Sequence, residues 1–221
     1  MSAGRSGPTL DPSTVDLLGV LAYGELTAFE RLASDAQYAP TVRDKEALAT
    51  MAVAEFGHFV KLRDHLQAGA VDPTEAMSPF IASLDRFHAS TLPNDWLEGL
   101  IKAYVGDGLA TDFYREVSAA VRDESTRQLV QEVLVDTGQA SFAVTRVRGA
   151  IDSDPAVAGR LALWGRRLVG EALIEAQRIA AERDALIELL VGNGDLAGVT
   201  RLLNRLMDNH SQRMQALGLS P

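Results

Sequence analysis

The chain has no cysteine, which excludes disulfides, zinc–thiolate sites, iron–sulfur clusters and a thiol nucleophile. Aromatic residues make up only 6%, and 18 glycines and 8 prolines are too few for a fibrous or disordered chain of 221 residues. No uncharged apolar run approaches the ~20 residues that a membrane-spanning helix needs. The opening MSAGRSGPTLDPS contains no apolar stretch of the secretory-signal kind. Basic residues are outnumbered, 21 Lys and Arg against 30 Asp and Glu, giving a net charge of −9. Such a surplus disfavours a nucleic-acid phosphate backbone as partner. No glycine-rich phosphate loop occurs, and four scattered histidines assemble no Ser/His/Asp set. These absences set the expectation of a cytoplasmic protein with no membrane association and with nucleic-acid binding disfavoured.

What remains is rich in Ala, Leu, Glu and Arg, as helices are. Residues 1–10 read as a flexible leader and 11–221 as a single helical domain. Asp11-Pro12 supplies an N-cap followed by proline at the first helical position, opening a helix to about Ala36. Thr41 caps a second, which ends at Gly69. Residues 69–93 contain Pro73, Pro79 and Pro93 and are expected to hold only short turns, around 80–87. Asn94 caps a third helix reaching about Val121, and Asp123 opens a fourth extending to about Ile151. A long fifth helix is expected from Pro155 to near Gly192, and a last one from Asp195 to Leu217. Period-two alternation with β-branched enrichment is missing, so no strands are expected. A short link, a long one of about 25 residues and another short one imply two antiparallel hairpins joined by a crossover, the connectivity of a ferritin-like four-helix bundle. The predicted fold is therefore all-α, with one long crossover and additional C-terminal helices.

Each of the four bundle helices carries an acid inside an apolar stripe at helical spacing. Glu25 sits among Leu18, Leu21, Ala22, Phe29 and Leu32. Glu55 and His58 share a face with Leu48, Met51, Phe59 and Leu62. Asp107 lies between Leu100, Tyr104, Ala110 and Tyr114, and Asp136 and Gln139 accompany Leu129, Val133 and Ala143. The step from Glu25 to Glu55 is 30 residues and that from Asp107 to Asp136 is 29, as in a duplicated hairpin. Unpaired buried carboxylates repel and raise one another's pKa, and these stripes contain no Lys or Arg. Divalent metal ions would balance the charge, and carboxylates with imidazole suit iron or manganese.

Several residues have plainer readings. Glu30 and Asp112 lie about 140° around their helices from Glu25 and Asp107 and belong to the flanks. Glu132, one turn before Asp136, is an alternative ligand if the register differs. His65 reads as a structural histidine, Arg166-Arg167 as a solvated helix face, and Tyr23, Tyr104 and Tyr114 either as donors to the acids or as core.

On Ala22-Tyr23-Gly24-Glu25, Glu55-Phe56-Gly57-His58, Val105-Gly106-Asp107-Gly108, Val135-Asp136-Thr137-Gly138-Gln139 and Leu163-Trp164-Gly165-Arg166-Arg167-Leu168, the chain resembles the ferritin-like di-iron carboxylate superfamily. More narrowly it resembles the actinobacterial MiaE-like branch, related to tRNA-(2-methylthio-N6-isopentenyladenosine) hydroxylase. The resemblance implies a metal set of Glu25, Glu55, His58, Asp107, Asp136 and Gln139, holding one or two Fe ions, with Mn as an alternative. Gln139 stands where the superfamily pattern has a second histidine, so the second half of the set is the weaker one. The implied activity is that of a non-haem oxidoreductase or hydroxylase acting on a small molecule or a modified tRNA base. The competing expectation is a non-catalytic ferritin-like protein with a degenerate site, acting in protein assembly or interaction; under either reading a homodimer is an expected partner arrangement.

Overall fold

The computed structural model describes residues 10–135, 138–191 and 196–221, without the side chains of 139, 187, 188, 190, 191, 196 and 197. Among the described residues the protein is all-helical, with no strand. Helices α1 (Pro12–Asp35) and α2 (Val42–Ala68) form the first hairpin across a short 3-10 turn, Ala36–Tyr38. Helix α3 (Pro73–Ser90) occupies the crossover. Then follow α4 (Trp96–Ser118), α5 (Glu124–Val133), α6 (Gln139–Ser153), α7 (Val157–Glu182), α8 (Asp184–Val191) and α9 (Leu196–Ala216).

Most helix starts follow the capping residues. Thr14 N donates to Asp11 Oδ1 at 3.1 Å and Asp44 N to Thr41 Oγ1 at 3.1 Å. Glu98 N donates to Asp95 Oδ1 at 2.9 Å and Thr126 N to Asp123 Oδ2 at 2.7 Å. Each cap satisfies one of the orphan amides of a first turn. The third helix is capped by Asp95, one residue after the expected Asn94, whose own amides bind the Glu98 carboxylate instead.

Three expectations need correction. The crossover is an 18-residue helix, not a series of turns. Pro73 occupies its first turn, where no amide is needed, and Pro79 sits inside. The carbonyl that Pro79 leaves without its helical donor belongs to Glu75, and Ser78 Oγ donates to that oxygen at 3.0 Å. Secondly, the fourth helix is two, α5 and α6, separated at 134–138, with Gly138 at φ 99°. Thirdly, the long fifth helix stops at Glu182. Arg183 (φ −130°) leaves the helical path and donates from both Nε and Nη2 to the buried Asp16 on α1, after which α8 packs against α1.

Two apolar clusters hold the bundle together. One joins α2, α4, α6, α7 and α9 around Leu48, Ile101, Val147, Leu168 and Met214. The other joins α1, α2, α3 and α5 around Leu17, Leu21, Leu62, Ala76 and Val130. At Gly19 the backbones of α1 and α3 nearly touch: a Cβ there would lie 2.1 Å from Ala76 O. The exposed pair Arg166 and Arg167 donates to the carbonyls of Ser220, Pro221 and Ser90, so it ties α7 to residues 220–221 and to the end of α3 rather than forming a merely solvated face. Among the described residues no helix is long and apolar enough to cross a membrane.

Candidate metal centre

Helices α1 and α2 pack along their length, and the turn 36–38 fixes their antiparallel register. That register sets Glu25 beside Glu55 and His58, which are themselves neighbours on one face at i and i+3. His58 Nδ1 lies 3.3 Å from Glu25 Oε2 and 3.5 Å from Glu55 Oε2. One ligand atom from each of the three side chains falls within 4.8 Å of the others. Glu55 is buried, while Glu25 and His58 retain 12% and 13% side-chain exposure, so the group opens on one side.

The electrostatics match a site that wants positive charge. Burial, reinforced by Glu55 and opposed by His58, pushes the Glu25 carboxyl well above its ordinary value. The two carboxylates, Glu25 first, raise the His58 imidazolium to about 9 against the opposing effect of burial. A proton shared among three metal-competent groups is what a divalent cation displaces. Two carboxylate oxygens and one imidazole nitrogen suit iron, manganese or zinc, so the residues present fit a metal.

The second half of the expected set is arranged differently. Asp107 is exposed and borders the same cavity as Glu25 and Glu55, but among the described residues the close cluster consists of Glu25, Glu55 and His58. Asp136 and the side chain of Gln139 lie outside the described residues. Glu132 is no ligand: it is exposed and pairs with Lys61. Glu30 is exposed, and Asp112 pairs with Arg213, in keeping with their flanking positions. His65 is structural, 2.8 Å from Thr126 Oγ1. Tyr23 donates to Asp85 at 2.7 Å rather than to the acid group. Tyr114 lines the cavity beside Gly24, and its hydroxyl is held above its ordinary pKa by burial and by Glu25.

The acids open into a cavity of about 450 Å³ with largely apolar walls, including Leu21, Ala28, Phe113, Leu173 and Ile179. Its lining also contains Arg31, Asp35, His88 and Lys102, which sequence reasoning missed. The apolar stripes contain no cation, yet Lys102 is buried between α4 and the end of α3, its Nζ donating to Thr91 O at 2.7 Å. A lysine flanked by Ile101 and Ala103 was the available signal, but helical periodicity places it off the stripe.

An antiparallel helical pair contributing Glu25, Glu55 and His58, joined through a long crossover to further helices, defines a ferritin-like carboxylate bundle. The chain belongs to the ferritin-like domain family of actinomycetes, whose model matches residues 8–193. No curated protein matches it.

Proposed function

We propose that the protein is a metal-dependent oxidoreductase of the hydroxylase type, with iron or manganese held by Glu25, Glu55 and His58. The observation that carries this reading is the convergence of those three side chains at the wall of an apolar cavity. A bound metal of this class supplies dioxygen activation. The chain's own contribution is definite: Glu55 and Glu25 provide the negative charge, His58 gives up its proton on loading, and the apolar walls hold a substrate out of water. Asp107 borders the cavity and is our candidate for a weaker, second ligand position, together with Asp136 and Gln139.

Hydroxylation is the chemistry suggested by the likeness to the MiaE-like branch. The net charge of −9 favours a small molecule over tRNA as substrate, since polyanion binding rests on clustered cations. A second reading has its own support: His58, protonated between two carboxylates, satisfies the group without any metal, as a non-catalytic ferritin-like protein would require. Elemental analysis after expression with iron or manganese decides between them. One metal per chain, lost in His58→Ala, supports the enzyme. Metal-free protein that loses stability in that variant, because Glu25 and Glu55 lose the imidazolium between them, supports the alternative.

A further inference from the structure

The cavity that borders the acid group is electrically two-ended. At one end stand Glu25 and Glu55; at the other stand Arg31 and Lys102 with Asp35, and the remaining acids of the lining are Asp107 and Glu175, the latter paired with Arg86 and Arg178. Glu25 and Arg31 are six residues apart on α1, a helix rise of about 9 Å, and apolar wall lies between. Lys102 is only 7% exposed and finds a neutral carbonyl, Thr91 O, but among the described residues no carboxylate within 4.0 Å. Arg31 likewise makes no ion pair among the described residues, and its Nε is buried without a hydrogen-bond partner. His88, which lines the same end, buries an unpartnered Nδ1.

A buried lysine and a half-buried arginine without a contacting counter-ion among the described residues are costly to keep. Asp35 is felt by both but touches neither. Tyr38 and Leu92, 65% and 59% exposed, line this end and mark its mouth. A ligand carboxylate entering there would gain charge-assisted hydrogen bonds from Arg31 and Lys102, and Glu25 and Glu55 would repel it from the opposite end. The polarity thus sets not only affinity but direction.

We propose that the cavity binds an amphipathic carboxylate of the fatty-acid class, its head group on Arg31 and Lys102 and its alkyl chain running towards Glu25 and Glu55. As a substrate assignment this rests on the hydroxylase reading; as a binding site it stands independently of any metal.

Calorimetric titration of metal-free, full-length protein with sodium dodecanoate below its micellar range, at pH 7, tests it. One saturable site per chain is expected. Lys102→Met and Arg31→Met should each weaken dodecanoate at least tenfold while leaving dodecanol binding and the melting temperature near those of the parent. If a Met variant melts early, Lys102→Gln, which keeps a donor for Thr91 O, should show the same selective loss. The proposal is overturned if dodecanoate gives no saturable binding, if dodecanol or dodecylamine binds as tightly, or if the variants lose nothing. Metal content measured on separate, unstripped preparations grown with iron or manganese keeps the two readings apart. Dodecanoate binding without metal sinks only the enzyme, and metal retention without dodecanoate binding sinks only this site.

Discussion

The first hairpin, α1–α2, and its counterpart, α4 with α5 and α6, start from nearly the same acid spacing and end as different structures. In the first, two unbroken helices of 24 and 27 residues run side by side, and their inner acids meet. In the second, the helix opposite α4 stops at Val133 and another starts at Gln139, and the expected acid of that helix, Asp136, lies outside the described residues. Asp107, on α4, is exposed. Spacing in sequence converts into convergence in space only where the helix is continuous, because one face persists only while the 3.6-residue repeat does.

The difference is sharpest in metal binding. His58→Ala or Glu55→Ala should lower metal affinity by about 100-fold or more, since each removes one of three close ligands, whereas Asp107→Asn should leave one metal per chain in place. Equal losses in all three variants, measured by elemental analysis after dialysis against a weak chelator, would erase the asymmetry between the hairpins.

Packing gives the next largest effect. Gly19→Ala should destabilise by about 2 kcal/mol, lowering Tm by about 4–8 °C, because its methyl would collide with Ala76 O on α3. A Tm within a degree of the parent would mean that the first hairpin yields more readily than its close helix crossing implies.

Metal loading should also depend on pH with a definite sign. The His58 proton, held up to about 9, must leave for metal to bind. Apparent affinity should therefore rise by up to about tenfold per pH unit and level off near pH 9. In metal-free protein the sign reverses: the raised His58 value stabilises the fold fully below 6.5 and is lost as pH rises through about 9. Competition titrations with a chelator between pH 6 and 9 read the first effect. An affinity flat across that range would place the proton elsewhere.

The smallest effect belongs to the break in the second hairpin. Gly138→Ala meets no neighbour within 4 Å but must adopt φ 99°, a strain of about 1 kcal/mol. Tm should fall by about 2–4 °C with metal content unchanged. A rise in Tm would indicate that the alanine chain prefers a continuous α5–α6 helix.

Much of this was legible in the sequence. Asp11-Pro12, Thr41 and Asp123 mark their helix starts because capping is a local interaction, complete within four residues. Glu25, Glu55 and His58 stand out because each interrupts an apolar stripe, a pattern that one helix can display alone. The crossover helix was hidden by Pro79, whose cost is offset by Ser78, and the break at Arg183 is held by Asp16, 167 residues away in the chain.

Sequence alone thus determined the all-helical class, the hairpin–crossover–hairpin order and the identity of the three converging side chains, Glu25, Glu55 and His58, since capping and periodicity are properties of neighbouring residues. Tertiary structure decided that the two hairpins are unequal, that α7 ends where Asp16 receives Arg183, and that Arg31 and Lys102 face one cavity from different helices. Those outcomes depend on the register and crossing of elements far apart in the chain, and periodicity within a helix does not encode which cations will share a cavity with which acids.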